Sequence, residues 1–443
     1  MMAIDPAPNT SAAFYRTIWR WHFYAGLFVL PFILILSVTG AVYLFKPQID
    51  RWEERAYQGL SLEGTVSPER QLEAALASNP DARFQYYRLP EEKGDAAMIQ
   101  IGLPEGGQRD IFVSPQGKVL GAIEPGTRIS DMVALIHGSL LLGTWGDRLV
   151  ELAASWTIVL IFTGLYLWWP RPFRAAGALW PRLSLKGRPL LKDIHRVTGF
   201  WIAGLVLVML ASGLPWAGVW GGAFDWARTE LGLIEGRQDW KIGAGTEHDA
   251  HDHHAAAEGA PQAAMPPGLP LSAFVVRAEA EKMAPPVLIL PPHTPQRFGP
   301  PTGAVWTVKS ETQNRPLARQ ISYDPSTGAE VGRSGFADKH VIDRVVSTGI
   351  AWHEGQLFGL ANQLLGLATA IVLIALSLAG VLMWLKRRPH GKVGSPPSGG
   401  RVQSRRAIGA VTLLAVILPL FGASLLLLLI FDKATSALAR RRS

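Results

Sequence analysis

Apolar residues concentrate in five stretches, at 19–45, 149–169, 200–219, 360–385 and 410–431. Each reaches the roughly 20 helical residues that a hydrocarbon core about 30 Å thick requires. Two long polar segments, 46–136 and 220–350, separate the first stretch from the second and the third from the fourth. They are domain-sized and are expected to fold outside the lipid. Each contains strand, turn and strand in pattern: Ile111 to Leu120 around Pro115-Gln116-Gly117, and Ile321 to Val331 around Pro325-Ser326-Thr327-Gly328. Apolar runs flanking Pro and Gly are hairpin chemistry. The expected fold class is therefore a mainly α membrane protein carrying two strand-bearing extramembrane domains.

Charge orients these elements. Arg16 and Arg20, then the run from Arg171 to Arg196, then the run from Lys386 to Arg406 occupy the short segments that alternate with the long ones. The positive-inside rule makes those short segments cytoplasmic and puts both polar domains on the other side. The organisation expected is a cytoplasmic N-terminus with a first span (1–45), a first outer domain (46–136), a histidine helix with a second span (137–170) and a basic loop (171–194). A third span (195–219), a second outer domain (220–350), a second histidine helix with a fourth span (351–386) and another basic loop (387–409) follow. A fifth hydrophobic segment (410–431) and a basic tail (432–443) complete the chain. A full fifth crossing would put Arg440, Arg441 and Arg442 outside, against three earlier basic segments, and Pro419 and Gly422 allow that segment to bend. The first stretch is too long for the apolar region of a cleavable signal, so it reads as a retained helix. The net charge of +8 then reports topology and calls for no nucleic-acid partner. With no cysteine, disulfides, cysteine-ligated clusters and covalent c-type haem are excluded. No dinucleotide-binding glycine turn occurs in a strand-to-helix setting.

Spacing within the apolar segments repeats. His22 precedes Gly26 and Gly40 by 4 and 18 residues, and His195 precedes Gly199 and Gly213 by the same intervals. From His137 the chain places Gly143, Gly164, Trp168 and Arg171 at offsets of 6, 27, 31 and 34; from His353 it places Gly359, Gly380, Trp384 and Arg387 at the same four. Glycine-rich helices supply single coincidences of this sort, but the joint match reads as a duplicated unit of helix, outer domain and helix. His22 and His195 then lie near the cytoplasmic face. A continuous helix from His137 to Gly164 would extend about 40 Å, which places His137 and His353 near the outer face.

Imidazole in a bilayer is costly without a partner. Four histidines in matched positions point to metal ligation, and bis-histidine ligation of haem needs two rings on opposite sides of one iron. A parallel repeat about an axis along the membrane normal brings equivalent positions face to face. It pairs His22 with His195 and His137 with His353, for two non-covalent b-type haems, one inner and one outer. Gly26, Gly199, Gly138 and Gly355 would let a flat macrocycle approach the backbone. Arg20 and Arg196 are placed to meet propionates, although topology alone accounts for them. Trp19, Trp21, Trp168, Trp169, Trp220 and Trp384 fit an interfacial aromatic belt. The run 247–254, rich in His and Asp, has the composition of a metal-collecting linker, while His293 and His340 have no matched counterpart and read as ordinary. No catalytic triad or His-Glu-x-x-His motif is present.

The segments Trp21 to Phe28, Thr163 to Arg171, His195 to Trp201 and Trp352 to Gly355 occur in the order of, and resemble, the PepSY-associated transmembrane helix family, across about residues 15–390. The resemblance implies a bacterial inner-membrane protein with two PepSY-like α+β periplasmic domains, similar to iron-regulated relatives and to di-haem ferric-siderophore reductases. Carried onto this chain, the ligands are His22, His137, His195 and His353. The expected function is electron transfer from quinol or a cytoplasmic reductant to a periplasmic acceptor, a ferric siderophore or other ferric chelate. A membrane-anchored binding module for a peptide, protease or envelope partner, and a metal uptake or sensing protein, are the alternatives.

Overall fold

The computed structural model describes residues 10–170, 174–234, 268–296, 300–389, 394–397 and 405–442. Arg171, the histidine-rich run 247–254 and the basic residues Lys392 and Arg401 lie outside them. Helices α1 (Thr10–Tyr43), α2 (Lys46–Glu53) and α3 (Pro68–Ala77) lead into strands β1 (Arg83–Arg88), β2 (Ala97–Gly102), β3 (Gln108–Val113) and β4 (Val119–Ile123). Four helices follow, α4 (Ile129–Ser139), α5 (Gly143–Trp168), α6 (Gly187–Gly213) and α7 (Gly218–Glu230). The chain continues through α8 (Leu271–Glu281), β5 (Val287–Leu290), β6 (Trp306–Ser310), β7 (Arg319–Tyr323) and β8 (Glu330–Gly335). It ends with α9 (Val341–His353), α10 (Leu360–Leu385), α11 (Arg405–Ile417) and α12 (Pro419–Arg442). Two compact units result, one built from residues 1–39, 138–224 and 367–443, the other from 40–137 and 225–366.

The first unit is helical. Among the described residues four helices are long and apolar enough to cross a membrane: Ala12–Tyr43, Gly143–Trp168, Gly187–Trp216 and Leu360–Leu385. The third begins well before the apolar stretch at 200, because Gly187 to Arg196 continue the helix on charged side chains, and this brings His195 inside it. The fifth hydrophobic segment is not one straight helix. Pro419 has no N–H to give Ala415 O, so the chain bends at Leu418 between α11 and α12. The bend brings Gly422 so near that a Cβ there would lie 2.6 Å from Ala415 O. Leu418 and Phe421 pack with Val159 and Leu214 in the buried centre of the unit, and Trp156 Nε1 donates to Ser424 Oγ at 3.1 Å.

The second unit holds one antiparallel sheet of eight strands, in the order β4-β3-β2-β1-β5-β6-β7-β8. The sequence separates two outer domains; in the structure each polar segment contributes four strands, with α3 and α8 as corresponding helices packed on them, and the two halves join edge to edge. Tyr87 pairs with Ile289 and Arg88 with Leu288 along β1 and β5, which covers two strand edges that would otherwise stand open. Alternation along the strands sorts the side chains by face. Ile99, Ile101, Ile111 and Val113 turn toward α3 and α8, where Leu72, Leu271, Phe274 and Trp306 complete a core common to both halves. Met98 and Phe112 turn the other way, under Tyr57 and Leu60. The hairpins expected at 111–120 and 321–331 are β3–β4 and β7–β8, turned at Gly117 and Gly328, whose φ angles are 81° and 67°.

The histidine helices do not run on into the membrane helices, contrary to the continuous helix assumed from His137 to Gly164. Leu140, Leu141 and Gly143 take left-handed φ angles of 54°, 59° and 55°, ending α4 before α5. Gly355 and Gly359, at 74° and 56°, separate α9 from α10. The glycines at offset 6 from each histidine therefore mark these turns, where a side chain would strain the backbone.

Candidate functional site

The four histidines come together as two pairs, each lying wholly within one unit. In the helical unit the rings of His22 and His195 are 6.4 Å apart between centroids, with planes at 85°. In the sheet unit His137 and His353 are 6.2 Å apart, at 79°. All four rings are half-buried.

Backbone carbonyls fix the first pair's tautomers. His22 Nδ1 lies 3.1 Å from Leu160 O, and His195 Nδ1 lies 3.2 Å from Leu376 O. A carbonyl only accepts, so each Nδ1 carries the proton, and a neutral ring then keeps its lone pair on Nε2. That is the form in which imidazole binds a metal, with the other nitrogen held by an outer partner. Two rings that both present an acceptor at Nε2 cannot hydrogen-bond each other through it, and they meet edge to face. Thr163 Oγ1 also lies 3.1 Å from His22 Nδ1.

Glycines seat the rings. A Cβ on Gly164 would stand 3.1 Å from His22 Cε1, and one on Gly40 would stand 3.2 Å from His137 Cε1. Gly380 is the corresponding neighbour of His195, at 4.0 Å. Three of the four glycines at offsets 18 and 27, Gly40, Gly164 and Gly380, thus lie against a histidine other than the one they follow. Glycines expected beside a macrocycle divide differently. Gly138 and Gly199 face open space, a Cβ on Gly26 would make ordinary contact with Leu160 at 3.6 Å, and Gly355 is a turn residue pressed against Leu44.

Buried ion pairs hold the helices of the second pair. Arg128, just before α4, lies 2.9 Å from Glu54 and 3.3 Å from Asp110 on β3. Burial pushes the Asp110 carboxyl up, and the charge of Arg128 opposes that rise. Arg228 on α7 meets Asp343 on α9 at 2.6 Å, with side chains 2% and 0% exposed. Sequence reading passed over these residues, since an isolated Arg or Asp in a polar segment carries no periodic signal. His340 has an ordinary role at the start of α9, where its Nδ1 accepts from Ile342 N at 3.2 Å. Arg196 donates to Gly177 O and faces Asp193 at 3.8 Å, so its own loop engages it.

The donor set suits a haem iron. Among the described residues no three His, Cys, Asp or Glu converge as a metal site. A bare zinc site uses three or four protein ligands, whereas a macrocycle fills four positions and leaves two axial ones. With about 2.0 Å from metal to imidazole nitrogen and about 1.1 Å more to each ring centre, two imidazoles on opposite sides of one metal would stand about 6.2 Å apart. Both pairs match that separation.

Four apolar helices long enough to cross a bilayer make this a multi-pass membrane protein, and a second unit carries the antiparallel sheet. The chain belongs to the PepSY-associated TM region family, whose model matches residues 19–387. That stretch takes in all four histidines and every strand of the sheet, and leaves α11 and α12 beyond it. No curated protein matches the chain.

Proposed function

We propose that this is an inner-membrane di-haem b electron-transfer protein, with one haem held by His22 and His195, another by His137 and His353, and a periplasmic ferric chelate as electron acceptor. The observation that carries the reading is the separation of both ring pairs, 6.4 and 6.2 Å, close to what two axial imidazoles need. When bound, haem supplies reversible one-electron chemistry whose potential the axial ligands, burial and hydrogen bonds set. The chain's part is to orient ligands. Leu160 and Leu376 fix which nitrogen of His22 and His195 is free, and the ion pairs of Arg128 and Arg228 anchor the helices bearing His137 and His353. Duplication of a helix, outer segment and helix unit explains why two such pairs exist, and the mirrored strand order about β1–β5 supports it. The expected donor is quinol or a cytoplasmic reductant, and release of iron from hard oxygen ligands on reduction is the expected use.

The test is the reduced visible spectrum with pyridine-haemochrome stoichiometry on purified protein. Two low-spin b-type haems per chain are expected, falling to one in His22→Ala and one in His353→Ala. A protein isolated from haem-replete cells without a reducible low-spin band would overturn the reading and leave a membrane-anchored binding module.

A further inference from the structure

The face of α6 that carries His195 also carries cations. Lys192 and Arg188 precede His195 by three and seven residues, which puts them on one side of a helix of 3.6-residue period, about 4.5 and 10.5 Å nearer its start. Lys192 is exposed. Arg188 is half-buried, its Nε is enclosed without a hydrogen-bond partner, and among the described residues no carboxylate pairs with it. The position is itself unfavourable for a cation, because Arg188 is the second residue of α6 and the positive end of the helix dipole lies there. Asp193, the one carboxylate between residues 171 and 196, is taken by Arg182 at 2.8 Å and faces Arg196 at 3.8 Å.

A second cation approaches from α10. Leu376 O meets His195 Nδ1, and Gly380 lies against the same ring. Arg387 follows these two by eleven and seven residues, in the turn that closes the helix. Its guanidinium lies 5.1 Å over the ring of Trp19 and 5.3 Å over that of Phe23, the residue after His22. One of its N–H groups donates to Gly394 O at 2.6 Å, and among the described residues no carboxylate engages it. Burial and the charge of Arg188 hold its pKa below the ordinary value. Two like charges thus converge beside the helices of both ligands, which is costly unless an anion joins them.

We propose that Arg188 and Arg387 bind the propionate carboxylates of the haem held by His22 and His195, an inference that rests on the function proposed above. A guanidinium suits a carboxylate because its planar fork gives two parallel, charge-assisted bonds. A propionate also supplies the acceptor that Arg188 Nε lacks. Cations at the carboxylates offset the negative charge that an added electron brings, and so raise the potential of that haem.

Spectroelectrochemical titration of the full-length protein in detergent, with haem stoichiometry on the same samples, tests the assignment. One of two midpoints is expected to fall in Arg188→Gln and in Arg387→Gln by about 59 mV, the one-electron equivalent of a tenfold shift, while the other stays. Arg188→Lys keeps the charge and is expected to recover most of the fall. Arg388→Gln is the control, since Arg388 is exposed and stacks over Trp384 at 5.3 Å; its midpoints should equal those of the unaltered protein. Loss of one haem in Arg188→Gln with retention in Arg188→Lys supports the proposal equally, and loss in both would make Arg188 a folding residue and overturn it. Two haems whose midpoints ignore both Gln substitutions, or an equal fall in Arg388→Gln, would overturn the proposal and leave the function standing. Unmoved midpoints with loss of co-purified phospholipid phosphorus in Arg188→Gln would give the cations to a lipid headgroup. No reducible haem in the unaltered protein would remove the function and this inference together.

Discussion

A methyl group added at Gly164 would stand 3.1 Å from His22 Cε1, closer than packed side chains ordinarily approach. The ring would have to turn, and Leu160 O and Thr163 Oγ1, both 3.1 Å from its Nδ1, would lose their alignment with it. Outer partners of a ligating histidine are worth roughly 10- to 100-fold in affinity. Gly164→Ala is therefore expected to weaken haem retention by the inner pair at least about tenfold, read as loss of one of two haems on gel filtration in detergent. Gly26→Ala, whose Cβ would meet Leu160 at an ordinary 3.6 Å, is expected to retain both. Equal loss in the two variants would show that helix packing in general, and not the seat of His22, is what Gly164 provides. Sequence spacing reached the histidines and their pairing because a repeated interval is visible along one dimension. What Gly40, Gly164 and Gly380 do was not legible, since each serves a ring on another helix.

Buried charge fixes the elements that carry the outer histidines. Arg228→Met leaves Asp343 buried without its cation, and breaking such a pair costs roughly 3–5 kcal/mol, whereas replacing both members by apolar residues is often close to neutral. Urea or thermal unfolding of the full chain is expected to show the large loss in Arg228→Met and recovery in the double variant with Asp343→Leu. A double variant no more stable than the single one would mean that the pair does not act as a unit. The β7–β8 turn gives a second test. Asp324 accepts bonds from the backbone N–H of Ser326 and Thr327 at 2.9 and 2.8 Å, and with the hydroxyls of the same residues these bonds lower its pKa from 3.8 to about 2. A lowered folded pKa contributes stability that is present above the unfolded value and is lost as pH falls through the folded one. Between about pH 4 and 2 the unaltered protein should lose melting temperature more steeply than Asp324→Ala; parallel curves would count against the turn. Turns are also where element-level reading went astray. Periodicity saw apolar residues on both sides of Leu140–Gly143 and of Gly355–Gly359 and joined them. Left-handed φ angles at those positions end the helices instead. The bend at Pro419 was legible because proline removes a named hydrogen bond.

At the scale of the molecule, four of the five apolar stretches are, among the described residues, helices long enough to cross a membrane, while the fifth is broken at Pro419. These helices and the strand-bearing polar segments were legible from hydropathy and turn residues, and the number of crossings was not. That the two outer segments share one sheet was not: the pairing of Tyr87 with Ile289 joins positions some two hundred residues apart, and neither strand's alternation specifies its partner. Orientation is the remaining property that charge predicts. The chain contains no cysteine, so a single introduced thiol is a clean reporter of sidedness. Ser184 lies on the basic segment between α5 and α6, and Ser326 lies in the β7–β8 turn; both are exposed. If lysine and arginine bias holds the basic segments in the cytoplasm, Ser326→Cys in intact spheroplasts reacts with a membrane-impermeant maleimide, and Ser184→Cys reacts only after permeabilisation. The outcome bears directly on the acceptor. Labelling of Ser184→Cys from outside, with protection of Ser326→Cys, would put the sheet in the cytoplasm and rule out a periplasmic acceptor beside His137 and His353. Labelling in the predicted order leaves His137 and His353, which share the sheet's unit, as the pair belonging to the domain that faces the periplasm.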